Sequence, residues 1–235
     1  MAILTPQLPL SLGLKDSTTF ENFLTGANPE ALAYLRALST GAEAPPAVYL
    51  WGEPGAGKSH LLQALCHAAA AQHQPAFYLP LRAADEFPFE ALQGLEQMRV
   101  VCLDDIQAIC RQLEWSHALI ELFERVRSVR GALVVTGEGP VSELGLLPAL
   151  SSRLASGLSF HLHRLNPAQC VEALRLRAGR RGMRLPEDSA RYLVRQFGGQ
   201  LERLFATLED LDRASLAAKR RLTLPFVRSV LNPDG

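Results

Sequence analysis

The sequence predicts an α/β fold, a parallel sheet flanked by helices and followed by a small all-helical domain. Three observations predict it. Up to about residue 164, short apolar runs alternate with helical stretches, the pattern of strands buried on both faces and covered by helices. A glycine-rich stretch, GEPGAGKS at 52–59, joins one such run to a helical stretch. Beyond Leu165 only helical periodicity remains. With 235 residues, 48% of them hydrophobic, the chain can build one large α/β domain and a smaller appendage.

The elements follow in order. Residues 1–18 form a tail containing QLPLSL at 7–12. After TFENFLTGAN at 19–28 a helix is expected, with Asn28 as its cap, Pro29 in its first turn, and Leu32, Leu35 and Leu38 on one side. Residues 43–46 read as a loop and AVYLW at 47–51 as a buried strand. A helix is expected from Lys58 to about Gln72, a strand over 75–81, and a weakly helical stretch over 86–97. The run 99–104 reads as a strand ending in acid, 115–128 as a helix, and 132–136 as another strand. Helices then fall near 167–182, 187–197, 200–217 and 224–231, the first of them opening at Asn166-Pro167. The expected organisation is a tail (1–18), an α/β core (19–164) and a helical lid (165–235).

Several classes are disfavoured at once. No apolar run is long enough to span a membrane, and the N-terminus has no basic region leading into an apolar one, so a cytoplasmic protein is expected. Cys66, Cys102, Cys110 and Cys170 lie in apolar contexts with no CxxC pair, which reads as buried free thiols. The net charge is zero but unevenly placed. Residues 1–163 hold 10 Lys+Arg against 16 Asp+Glu, giving −6, and 164–235 hold 14 against 8, giving +6. A basic lid is either a solvated helical face or a surface that approaches phosphates.

The chemistry concentrates at 52–59, which fits G-x-x-x-x-G-K-[ST] between a strand and a helix. Gly52, Gly55 and Gly57, with Pro54 and Ala56, let the backbone curl until successive N–H groups face a phosphate. Lys58 adds a mobile positive charge, the Ser59 hydroxyl is a ligand for Mg²⁺, and His60 completes the candidate cofactor-binding run. Only Lys15, Lys58 and Lys219 are lysines among 24 basic residues, so a lysine inside this loop is not incidental. One βα unit later VVCLDD at 100–105 offers two acids at a strand end. Asp104 is placed to hold the Mg²⁺ shell and Asp105 to orient or deprotonate a water. Thr136 reads either as a strand-end threonine satisfied by a turn or as a hydroxyl brought near the γ-phosphate. Arg153, within LPALSSRL at 147–154, reads either as a surface ion-pair partner or as a group reaching a neighbour's phosphate.

These residues in this order resemble the AAA+ ATPases, and more finely the branch of the replication initiator DnaA and its small regulatory homologues of the Hda type. TFENFLTGAN, LDDIQ, VVTGEGP, LPALSSRL and LEDLDRAS carry the resemblance, which spans nearly the whole chain. It implies ADP or ATP with Mg²⁺ as cofactor, Asp104 and Asp105 as the Walker B acids, Thr136 at the sensor-1 position and Arg153 as the arginine finger. One feature departs from the family pattern. The sensor-2 arginine of the initiator branch stands two residues before a leucine, where this chain has Glu202, with Arg203 one place later. A shift of one residue turns a helical side chain by about 100°. Either Arg203 reaches the nucleotide from a different lid pose, or the chain's own hydrolysis is weak.

Within that family QLPLSL resembles the motif by which bacterial proteins dock on the DNA polymerase sliding clamp. Gln7 supplies a polar head, Leu8, Leu10 and Leu12 supply apolar anchors, and Pro9 limits the entropy lost on docking. Taken alone, the stretch reads first as a frayed terminus whose leucines cover the core domain, and only the family context favours clamp docking. DnaA continues past its lid into a DNA-reading domain, whereas this sequence ends at Gly235. The resemblance therefore implies a negative regulator of replication initiation that promotes hydrolysis of DnaA-bound ATP. Its partners would be the clamp (the beta subunit), DnaA, and DNA through the clamp or the basic lid, with homo-oligomer formation left open. The rival reading is a self-sufficient AAA+ ATPase acting as a helicase loader of the DnaC or IstB type.

Overall fold

Among the described residues five short strands pair in parallel into one sheet: β1 (Val48–Trp51), β2 (Ala76–Pro80), β3 (Val100–Asp104), β4 (Ala132–Gly137) and β5 (Leu158–His161). Their spatial order is β2-β3-β4-β1-β5. The computed structural model describes residues 18–43, 45 and 47–231. Gln7, Leu8, Leu10 and Leu12 lie outside the described residues.

Successive strand side chains point to opposite faces, so residue parity sorts the core into two layers. Tyr49, Phe77, Leu79, Val101, Leu103, Leu133 and Val135 face α3 (Leu113–Ser128) and α4 (Pro148–Ala155), meeting Leu119, Leu122, Phe123, Leu150 and Leu154. Val48, Leu50, Tyr78, Val100, Cys102 and Val134 face α1 (Pro29–Ser39) and α2 (Lys58–Ala71), meeting Leu35, Leu38, Leu61, Leu62 and Leu65. These leucines are no more than 3% exposed, and each contributes about 1.5–3 kcal/mol by leaving water.

Three local expectations are revised. β5 has no counterpart in the sequence reading, because LSFH mixes polar and apolar residues. It pairs with β1 through the register Val48↔Leu158 to Trp51↔His161 and has three of its four residues exposed, as suits an edge strand. The stretch 86–97 is not one helix. Pro88 and Gly94 divide this region into short 3₁₀ turns at Leu81–Glu86, Phe89–Leu92 and Leu95–Gln97. Asn28 does not cap α1 with its side chain. Its amide spans to the far end of the sheet, donating to the His163 carbonyl and accepting from the His163 N–H, at 2.9 and 2.8 Å. A buried amide satisfied at both ends outweighs a helix cap here, because it ties the chain leaving β5 to the start of α1.

The described chain divides between His163 and Arg164 into two compact units. The second unit holds α5 (Pro167–Arg180), α6 (Glu187–Gln196), α7 (Leu201–Ala218) and α8 (Leu224–Leu231) around its own core of Leu174, Leu193, Leu204, Leu208, Leu211 and Val227. Its first helix opens with a reciprocal capping box: the Asn166 side chain accepts from the Gln169 N–H, and the Gln169 side chain accepts from the Asn166 N–H. No helix among the described residues is long and apolar enough to cross a membrane. Cys66, Cys102 and Cys170 are buried free thiols, while Cys110 is half-buried.

Candidate functional site

The loop between β1 and α2 is held open by glycines that nothing else can replace. Gly52 has φ +153°, and a Cβ there would lie 2.3 Å from the Leu162 carbonyl oxygen. Gly57 has φ +92°, and a Cβ there would lie 2.7 Å from the Phe23 ring. The bare loop leads directly into the N-terminus of α2, whose first-turn N–H groups have no helical partners. Lys58, in that turn, is buried, and its ammonium donates to the carbonyls of Gly52 and Glu53, the latter at 3.2 Å. Burial pulls its pKa below the usual lysine value, against the opposing pull of Asp105, Asp104 and Glu138. Ser59 follows, half-buried. His60 leads elsewhere: its ring Nε2 lies 2.8 Å from the Thr19 carbonyl and its ring tilts against Phe23. Its side chain fastens the segment before α1 to the loop helix.

Parity and register bring three polar side chains together on the α2 face of the sheet. Asp104 ends β3 and is 3% exposed; Thr136 lies on β4, one step past the register pair Leu103↔Val135; Tyr78 lies on β2. The Thr136 hydroxyl donates to Asp104 Oδ1, and the Tyr78 hydroxyl donates to Asp104 Oδ2 at 2.7 Å. Thr136 Oγ1 also accepts the Asp105 N–H at 2.8 Å, so one hydroxyl touches both acids. Burial, reinforced by Asp104, drives the Tyr78 phenol pKa far up, which keeps it a donor.

Asp105 has a left-handed backbone, φ 61° and ψ 58°, one that aspartate tolerates better than most residues. Its carboxylate accepts from Arg82 Nε and from Gln107 Nε2, the latter at 3.0 Å, and Arg82 also reaches Glu138 at 3.1 Å. Arg82, Tyr78 and Gln107 are the site residues that sequence reasoning missed. Residue parity places Tyr78 on the α2 face, but only strand register brings it to Asp104. Nothing in the sequence marked Arg82, whose place is set by the turn after β2.

Arg153 sits on α4, 28% exposed at its side chain. It donates to Glu124 Oε1 on α3 and to the Ala149 carbonyl, both at 2.8 Å. The structure thus brings Gly52, Lys58, Ser59, Asp104, Asp105 and Thr136 around one end of the sheet and places Arg153 in a surface ion pair. Arg203 belongs to the second unit, where its exposed guanidinium lies 5.6 Å from the Phe197 ring centre, with Glu202 exposed beside it.

The residues present fit a nucleoside phosphate with a divalent cation. The left-handed glycines leave a cradle without side chains, Lys58 provides the countercharge, and Ser59 and Asp104 are oxygen donors of the kind Mg²⁺ takes.

Residues 14–161 match the family model of the bacterial DnaA ATPase domain, and residues 168–231 match that of the Hda lid domain. Domain III of the Thermotoga maritima replication initiation protein DnaA has the same fold, with a TM-score of 0.79 at 18% identity, covering 94% of this chain and 98% of that one. DnaA from Aquifex aeolicus, whose structure contains AMPPCP, gives 0.66 at 19% identity over 88% and 71%. A RuvB variant from Thermotoga maritima gives 0.70 at 15% identity over 92% and 72%. At these identities the likenesses establish the fold, while the match over 14–161, more than half of the chain, establishes descent. The chain belongs to the bacterial DnaA ATPase family of AAA+ proteins, and its helical second unit is of the Hda lid type.

Proposed function

We propose that this chain is a nucleotide-bound negative regulator of replication initiation, which docks on the DNA-loaded sliding clamp and promotes hydrolysis of ATP bound to DnaA. The observation that carries the reading is Arg153, a guanidinium on the short helix α4, held by a labile ion pair with Glu124 and a hydrogen bond to the Ala149 carbonyl, in a chain with a DnaA-type core and an Hda-type lid. When bound, an adenine nucleotide with Mg²⁺ would supply negative charge and a divalent cation at the glycine loop. The loop amides and Lys58 would bind that charge, Ser59 and Asp104 would hold the cation's shell, and Thr136 holds the Asp104 carboxylate and the Asp105 backbone N–H in place. Arg82 holds the Asp105 carboxylate that would orient a water, which suits a chain whose own turnover is weak.

Arg153 would act on a neighbour. Leaving Glu124 costs about 0.2–1 kcal/mol, the worth of a partly exposed pair. A finger stabilising charge on a transferring phosphoryl group supplies roughly 10³–10⁵ in rate, or about 4–7 kcal/mol. The second term dominates, so the observed ion pair is no obstacle. Gln7, Leu8, Leu10 and Leu12 would hold the protein on the clamp and raise its effective concentration near DnaA, keeping the protein cytoplasmic and, through the clamp, at the nucleoid. Arg153→Ala is expected to leave clamp binding intact and abolish the stimulation of DnaA's ATP hydrolysis. Unchanged stimulation overturns the proposal.

The intact set of Lys58, Asp104, Asp105 and Thr136 favours one rival, a self-sufficient ATPase of the helicase-loader kind. Rapid ATP turnover by the isolated protein would decide for it.

A further inference from the structure

We propose that Tyr78 and Gln63 are positioning residues for the divalent cation of the nucleotide site, acting through Asp104. The inference rests on the nucleotide reading above and adds two residues to it.

Asp104 is nearly sealed from water, and each of its oxygens receives one hydroxyl: Oδ1 from Thr136 and Oδ2 from Tyr78. Each oxygen keeps a second lone pair for the water shell of a cation. A carboxylate turns easily about its terminal torsion, which is broad and roughly two-fold. Held by Thr136 alone it pivots; held at both oxygens its plane is fixed. Tyr78 is therefore the second of two pins, and it comes from a different strand than the first.

The hydroxyl is itself aimed. Tyr78 has a single proton, and it is donated to Asp104 Oδ2. Gln63 must then present its amide N–H₂ to the phenol oxygen, as observed at 3.3 Å. Gln63 lies on α2, one turn after Ser59 on the same face. The helix that presents the Ser59 hydroxyl is thus hydrogen-bonded, through Gln63 and Tyr78, to the acid at the end of β3. The two oxygen donors that would share one cation come from separate elements, and this bridge couples their spacing. Tyr78 belongs to the apolar layer that includes Leu62 and Cys102, where a phenylalanine would serve the same packing, so the hydrogen-bonded chain is what the hydroxyl adds.

The test uses the full chain with a fluorescent ADP analogue, titrated first in EDTA, after which Mg²⁺ is titrated into the complex. Tyr78→Phe keeps the ring and removes the hydroxyl. It is expected to leave the Mg²⁺-free affinity unchanged and to raise the Mg²⁺ midpoint roughly 10- to 100-fold, the usual effect of losing a group that orients a metal ligand. Gln63→Met is expected to shift the midpoint in the same direction by less, and it carries the comparison if Tyr78→Phe does not fold. Equal Mg²⁺ midpoints in the wild type and the variants overturn the proposal while the nucleotide reading stands. A wild-type chain that binds no nucleotide in EDTA or in Mg²⁺ overturns both.

Discussion

At the residue scale the site is governed by a few buried charges. Lys58 is drawn in far enough for desolvation to outweigh three nearby carboxylates, which leaves its pKa below 10.5. A base depressed by folding binds fewer protons in the native state, so Lys58 burdens stability at neutral pH. The burden lifts as pH rises through the lowered pKa towards 10.5. Nucleotide binding runs the other way, because the phosphate needs the charge. Affinity is therefore expected to fall with rising pH earlier than an ordinary lysine would dictate. Lys58→Arg, whose charge persists, should flatten that decline whatever its absolute affinity. Titrations across the alkaline range check this, and identical profiles would contradict it. The glycines, Lys58, Ser59 and the paired acids were legible as residue types in a tight spacing. Tyr78 and Arg82 were not, since a tyrosine in an apolar strand and an arginine after one have many uses, and only strand register picks out this one.

At the element scale the helices were easy to read and the last strand was not. Helix periodicity and local start signals sit within one stretch of chain, as Asn166, Pro167 and Gln169 show at the opening of α5. β5 is visible only through its partner, because its identity comes from hydrogen bonds to β1, more than a hundred residues earlier. Asn28 makes the same point. Its sequence context says helix cap, while its side chain is committed to His163, 135 residues later in the chain. Asn28→Ala should destabilise the core by about 1–3 kcal/mol, the cost of orphaning a buried N–H and C=O. Chemical denaturation of the variant reads that loss, and a change within a few tenths would mean that water replaces both bonds.

At the scale of the whole molecule, the proposal joins three parts: a tail that tethers, a core that holds nucleotide and a finger that acts elsewhere. Changing Leu8, Leu10 and Leu12 together to Ala should abolish stimulated hydrolysis in a reconstitution of DnaA-ATP with DNA-loaded clamp, while the isolated chain keeps its nucleotide affinity. Full stimulation by that variant would separate the tail from the mechanism. The lid's excess of arginine is partly absorbed within the lid itself, where Arg175 and Arg191 meet Glu187, and Arg177 and Arg181 meet Glu209. This favours a solvated face, one of the two readings that charge alone left open. By itself the sequence determined the class of fold, singled out the glycine loop and the acid pair, and led to the expectation of a sheet domain followed by a helical one. All of these are written in residue type and short-range spacing. Tertiary structure alone decided that Tyr78 and Thr136 share Asp104, that Arg82 holds Asp105 and that Arg153 rests on Glu124. Those contacts come from strand register and helix packing, which join residues 23 to 32 positions apart that no local pattern connects.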